Sequence, residues 1–528
     1  MPALEFVVVI GLVVLACSAA AGRLGVAPPA LLLGTGVVLG LIPVVGEVHL
    51  PPEVMLLLFL PALLYWESLT TSLQEIRRNL RGVLLASTLL VVATAAALAV
   101  VGHALGLSWP AAWVLGAALA PTDATAVGAL ARSLPRRNMM VLRAESLIND
   151  GTALVVYAVA VGIAVGQQQW DPVAVGGMVL LSYVGGVAAG LLTAWLAIRV
   201  RRLVDDPVQD NVVTLLTPFT AFLLAEVISA SGVLAVVVSG LVMTQAAPRI
   251  GRAAARHQTR VFWGLATFLL NAALFVLIGV ELPTAVGALS GTDLVRGVIG
   301  VVVMVLVAAA VRFGFLVVFA YAFRLFDRRP EQRRRRVSNR SRVVSTVAGF
   351  RGAVSLAVAL SVPDTIGSGA LFPGRDLIVF VAAGVIVTTV VVQGLALPAV
   401  VRWARLPADS AHAERREAEG AASEQALAEL PAIAAELGTP PDVLTRVREE
   451  FTDHLAAGAP DQPAGRHEQA YAELRLALIA SKRETVVRMR DQRRIDDSVL
   501  LAIQERLDTE ELRHARVVAD AEDHPEPS

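Results

Sequence analysis

The sequence predicts an all-α polytopic membrane protein: about thirteen transmembrane helices, inverted repeats with two broken helices crossing at the midplane, and a soluble helical appendage at the C-terminal end. Three observations predict it. Of 528 residues, 55% are hydrophobic and 17% charged, against roughly 45–50% and about 25% in soluble globular chains. Apolar stretches long enough to cross a bilayer recur through the first three quarters of the chain. Arginine clusters mark alternate connections between them.

A spanning helix needs ~20 mostly apolar residues. On that template the spans run over 3–21, 27–44, 52–69, 82–105, 110–130, 140–165, 172–198, 212–230, 233–244, 262–282, 294–323, 343–362 and 377–401. The first has no basic n-region and no cleavage site, so it reads as a retained helix. Cys17 is the only cysteine, which excludes a disulfide framework and a thiolate metal site within one chain.

The basic connections carry Arg23; Arg77, Arg78 and Arg81; Arg132, Arg136 and Arg137; Arg199, Arg201 and Arg202; Arg249, Arg252, Arg256 and Arg260; and Arg333 to Arg336. Taken singly, each reads as solvated surface. Their alternation places the N-terminus outside and the C-terminal part in the cytoplasm, because basic loops stay cytoplasmic.

Two spans are interrupted. Pro121 lacks the N–H that continues a helix and clashes with the preceding turn, so the fifth span breaks near Pro121-Thr122-Asp123. Gly349-Phe350-Arg351-Gly352 interrupts the twelfth. These spans are an odd number apart, so they cross in opposite directions, as inverted repeats with broken helices do.

The sixth span holds the costliest residues: Glu145, Ser146, Asn149 and Asp150. An ionisable side chain at bilayer depth costs at least ~2.5–3.5 kcal/mol and so marks an ion or proton path. At about 100° per residue the four fall within an arc of about 140°. Ser146 and Asp150 stack at i,i+4, as do Glu145 and Asn149. Thr122 and Asp123 lie at similar depth beside freed carbonyls of the broken fifth span. Carboxylate, hydroxyl and carbonyl oxygens are the ligands hard cations such as sodium favour, and the His and Cys spacing of a zinc site is missing.

Each residue also has a purely structural reading. Asp150 could be a buried acid bonded to a helix end or paired with an arginine. Glu145 is expected to bridge Arg351, since two buried charges tolerate burial best as a pair. Arg312, deep in the eleventh span, needs a partner the sequence does not identify. Asn149 could join two helices by hydrogen bonding, and Glu67 could snorkel to the interface. Glu226, Glu281 and His103 read as interfacial.

The segment 407–528 is rich in Glu, Arg, Asp and Ala, with helical stretches over 411–437, 469–489 and 495–516 and breaks at 438–441 and 458–463. It carries no catalytic or nucleotide motif. The chain thus divides into a membrane domain, 1–406, and a cytoplasmic helical tail, 407–528.

Pro121-Thr122-Asp123, Glu145-Ser146-Leu147-Ile148-Asn149-Asp150-Gly151 and Phe350-Arg351-Gly352-Ala353-Val354-Ser355-Leu356 resemble signature stretches of the monovalent cation:proton antiporter-1 family. Ser231 to Gly240 and Asn271 to Leu282 match it too. The resemblance covers roughly 3–405. It implies a homodimeric, multi-pass antiporter of the plasma membrane that exchanges sodium or lithium for protons in pH and sodium homeostasis. It implies no cofactor, no nucleic-acid partner and no enzyme activity. It implies that Asp150 binds the ion or the proton, that Ser146, Thr122, Asp123 and Glu67 complete or flank the site, and that Glu145 pairs with Arg351. Asn149 beside Asp150 is similar to the electroneutral branch of the family. Arg143-Ala144 departs from the pattern and adds a charge near the cytoplasmic mouth. Potassium/proton exchange on the same fold is the rival reading, and a cation channel a more distant one.

Overall fold

The computed structural model describes residues 3–513 apart from 25–27, 44–54, 72–79, 124–133, 135, 167–171, 205, 251–252, 327–337, 407–410, 458–463, 493–502 and 504–506. The described residues are helical, with one isolated bridge between Thr365 and Leu371. The chain separates into two compact units, Met1–Ala408 and Asp409–Ser528.

In the first unit, α1 (Ala3–Leu24) and α2 (Pro28–Gly40) precede α3 (Leu60–Thr70), which is led by a π-helical turn at Met55–Phe59. Then come α4 (Leu80–Ala104), α5 (Trp109–Leu119), α6 (Arg136–Ala164), α7 (Pro172–Arg201), α8 (Pro207–Val227), α9 (Gly232–Ile250), α10 (Ala253–Ala288) and α11 (Gly291–Phe326). The half-helices α12 (Asn339–Val347) and α13 (Ala353–Leu360) follow. Last are α14 (Arg375–Thr388) and α15 (Gly394–Ala404), joined by a π turn at Thr389–Gln393. Seven of these stretches are long and apolar enough to cross a membrane, and five shorter apolar helices accompany them, among the described residues. The protein is a multi-pass membrane protein.

The two expected breaks are present. Helix α5 stops at Leu119, and Ala120 N reaches only to Ala117 O, at 3.4 Å, in a tightened last turn before Pro121. The continuation over 124–130 lies outside the described residues. Helix α12 ends at Val347 and α13 starts after Gly352. Sequence periodicity did not reveal the π turns. The one at Met55–Phe59 packs on α13, and Thr389 in the other accepts from Arg351 N at 3.4 Å.

Helix α5 packs against α4, α6 and α13, which places its broken end in the middle of the unit. Helix α2 packs tightly on α10 because Gly36 and Gly279 face each other there: a Cβ on Gly36 would strike Val276 O, and one on Gly279 would strike Leu33 O. Small residues that let backbones meet are a principal means of packing membrane helices. Tyr65, Leu115, Leu119, Trp263 and Phe350 are fully buried. Leu180, Leu181, Trp195, Val298, Val302 and Leu306 face outward from α7 and α11, the apolar exterior that lipid requires.

One loop expectation needs correction. Arg201 is not a solvated loop charge: it is buried and donates through Nε and Nη2 to Asp210, at 2.5 and 2.8 Å, closing the α7–α8 hairpin. Arg333 to Arg336, with Arg77, Arg78, Arg132 and Arg252, lie outside the described residues.

The second unit contains α16 (Ala411–Leu437), α17 (Pro441–Ala457) and α18 (Ala464–Asp491). Arg483 donates to Asp508 and Glu511, both at 2.5 Å.

Candidate ion-exchange site

Helix α6 is unbroken through the polar cluster and presents Ser146, Asn149 and Asp150 inward, with exposures of 1%, 1% and 3%. Glu145 is one residue off that face and keeps 13% side-chain exposure. The α5 break delivers Thr122, buried, and Asp123, half-buried. Glu67, on α3, is 7% exposed. It does not snorkel; α3 carries it inward, and its carboxylate feels the charges of Asp123 and Asp150.

The two breaks are stitched to each other. Asp123 N donates to Phe350 O at 2.8 Å. A Cβ on Gly352 would collide with the Asp123 side chain, so only glycine lets that carboxylate lie against the second break. Arg351 donates from Nε to Leu119 O at 3.0 Å and from Nη1 to Gly349 O at 2.8 Å. Leu119 ends α5 and Gly349 lies just past α12, so one guanidinium satisfies carbonyls left open by two helix C-termini.

That geometry overturns the expected Glu145–Arg351 bridge. Glu145 Oε1 instead pairs with Arg312 Nη1 at 2.7 Å. Arg312 also donates from Nε to Ser345 O at 2.9 Å and lies 3.5 Å from Thr122 Oγ1. The physical reason is that helix ends at the crossing claim Arg351, whereas Arg312 projects from α11 between α6 and the end of α12. Sequence spacing gave no means to choose between Arg351 and Arg312.

Asn149 joins helices as its structural reading suggested, and it does so at the site. Its amide tip is 3.4 Å from Thr122 Oγ1. Turned with nitrogen towards Ser87 O and Glu145 O, at 3.3 and 3.2 Å, it donates to both. Sequence reasoning missed Ser87, whose carbonyl on α4 carries no side-chain signal. Farther along α6, Tyr157 bonds Ser361 at 3.1 Å and Thr152 accepts from Tyr183 at 3.1 Å.

Asp150, Glu67 and Asp123 thus share one electrostatic neighbourhood. Ser146 faces the Glu67 carboxylate, yet Ser146 Oγ and Glu67 Oε1 are buried polar atoms without a hydrogen-bond partner among the described residues. Leaving such atoms unpaired costs about 1–3 kcal/mol each, more when charged. Among the described residues no three His, Cys, Asp or Glu side chains converge as a metal cluster. His103, stacked on Trp109 at 4.2 Å, and exposed Glu226 lie at helix ends away from the site, and Glu281 is half-buried near the end of α10.

The family described as "Sodium/hydrogen exchanger, transmembrane" matches residues 9–403. A protein of Mycobacterium tuberculosis named as an uncharacterized Na(+)/H(+) exchanger is 45% identical over 522 residues, covering 96% of each chain. A sodium, potassium, lithium and rubidium/H(+) antiporter of Bacillus pumilus is 30% identical over 382 residues, covering 70% of this chain and 57% of its own. The sodium proton antiporter MjNhaP1 of Methanocaldococcus jannaschii, solved at pH 8, has a similar fold: TM-score 0.58 at 17% identity, over 76% of this chain and 99% of that one.

Proposed function

The chain belongs to the sodium/hydrogen exchanger family, and from that premise we propose that it exchanges one sodium ion for one proton, with Asp150 as the carboxylate for which the two compete. At the coarser level it is a membrane antiporter of monovalent cations and protons. The observation that carries the finer reading is Asp150 itself, 3% exposed beside Glu67 and Asp123 at the crossing of two broken helices.

Burial disfavours a bare carboxylate, and either a bound cation or a proton removes that penalty. Sodium and proton therefore exclude each other. An uncompensated charge at mid-bilayer costs at least ~2.5–3.5 kcal/mol, so the site crosses loaded with one or the other. Ser146, Thr122, Asp123 and Glu67 supply the remaining oxygens around the ion. Asn149 is neutral and engaged with Thr122 and backbone carbonyls, so one carboxylate on this face of α6 changes its load, which supports electroneutral exchange. We further read the protein as a homodimer of the plasma membrane, with the N-terminus outside, the basic connections and the 407–528 tail in the cytoplasm, and a role in pH and sodium homeostasis.

The test is reconstitution in liposomes with an imposed sodium gradient and internal pH recorded with and without a clamped potential. Sodium-driven proton movement independent of potential is expected. A potential-dependent rate rejects the one-for-one stoichiometry, and potassium uptake exceeding sodium uptake rejects the cation assignment. Single-channel currents instead of saturating, proton-coupled flux would reject the carrier.

A further inference from the structure

The cleft between the ends of α11, α12 and α15 is independent of the ion site. It encloses about 500 Å³ and is lined by Phe313, Val317 and Tyr321 of α11, Arg340 and Arg342 of α12, and Trp403 of α15. Helix α11 ends at Phe326, shortly past Tyr321, and α15 ends at Ala404, next to Trp403. The cleft therefore sits where hydrocarbon gives way to headgroups. Tyr321 and Trp403 are each 54% exposed, the amphipathic aromatic pair that marks this depth.

The charge in the cleft is of one sign. Among the described residues neither Arg340 nor Arg342 pairs with a carboxylate, and no Asp or Glu lines the walls. Arg340 lies over the Trp403 ring, 5.6 Å from its centroid, which leaves the N–H groups at the guanidinium edge available. Arg342 is buried and held by Asn339 Oδ1 at 2.6 Å, with further donors to spare. Phe313, 42% exposed, extends the apolar wall towards the bilayer. Two fixed guanidinium groups above an apolar wall match an anion that carries acyl chains. Basic pockets between membrane helices are known to hold anionic lipid headgroups.

We propose that this cleft is a binding site for an anionic phospholipid, its phosphate on Arg340 and Arg342 and its chains along Phe313 and Val317. The proposal rests on the reading that this end of the bundle faces the cytoplasmic leaflet.

The purified full chain, in detergent, is titrated with phosphatidylglycerol or with phosphatidylcholine of the same chains, and bound lipid is counted by native mass spectrometry. Phosphatidylglycerol should be retained at least about fivefold more tightly, the worth of one basic side chain at a membrane surface. Arg340→Gln and Arg340→Glu should lose that preference, and Arg340→Lys should keep part of it. The lipid-free melting temperature separates lost binding from lost folding, and whichever of the Gln and Glu variants melts like the parent is the one read. Equal retention of the two lipids overturns the proposal, as does a preference that survives in the variant read. Displacement of the lipid by millimolar glycerol phosphate would overturn it in favour of a soluble phosphate. Binding read without an ion gradient leaves the antiport reading untouched if it fails. Labelling of Arg402→Cys in a Cys17→Ser background, from either side of oriented vesicles, tests the leaflet separately.

Discussion

Asp123 N donates to Phe350 O at 2.8 Å, so the break in α5 and the break between α12 and α13 are one structural unit. The Asp123 carboxylate lies against Gly352 at the same crossing. Ion-site geometry and helix-break geometry are therefore set together, and substitutions at one will be felt at the other.

Gly352→Ala is the most direct probe of that coupling. Its Cβ would overlap the Asp123 side chain, and overpacking of this kind costs roughly 1–3 kcal/mol. Melting temperature and exchange rate should both fall. Adding Asp123→Gly, which removes the Asp123 Cβ together with its carboxylate, should recover melting temperature but not the exchange. A fully active, fully stable Gly352→Ala protein would mean that the crossing yields without disturbing Asp123.

The reassigned ion pair predicts a pattern in double-mutant cycles. Glu145→Gln or Arg312→Gln alone leaves a buried charge unpaired, at roughly 3–5 kcal/mol. The two together should show a coupling energy of about 0.5–3 kcal/mol, as contacting residues do. Glu145→Gln with Arg351→Gln should be nearly additive, because Arg351 serves helix-end carbonyls. Unfolding in detergent gives all three numbers, and strong coupling to Arg351 in place of Arg312 would contradict the geometry.

Competition at one carboxylate fixes the sign of the pH dependence. Falling pH should raise the KM for sodium and leave the maximal rate unchanged, since protons occupy the same site. Asp150→Asn should abolish exchange. Glu67→Gln should bind sodium more weakly and still exchange, whereas neutralising an interfacial, snorkelling Glu67 would leave sodium affinity unchanged. Initial rates over a grid of sodium and pH decide these outcomes.

A chain truncated after Pro407 should still exchange cation for proton in vesicles, because every site residue lies within Met1–Ala408, a compact unit by itself. Loss of transport in a truncated protein with normal melting would assign the tail a direct part in the cycle.

Much of this was legible in the residues. Hydropathy gave the membrane fold, because a bilayer accepts only backbone that satisfies its own hydrogen bonds. Pro121 and the Gly349–Gly352 stretch gave both breaks, since covalent geometry and missing donors act locally. Asp150, Asn149, Ser146 and Glu145 stood out because charge and amide groups are costly at mid-bilayer whatever surrounds them. The π turns left no mark in the periodicity, and Ser87 contributes only a backbone carbonyl.

What the sequence determined alone, then, was which residues are too costly to be idle. Which of them meet was decided by tertiary structure. Glu145 could have taken Arg351 or Arg312, and Glu67 could have turned towards water. The choice went to Arg312, and inward for Glu67, because helix ends at the crossing claim Arg351 and because α3 packs its face into the unit. Partner selection among buried charges depends on distances of a few ångströms between helices far apart in sequence, and a one-dimensional pattern does not carry those distances.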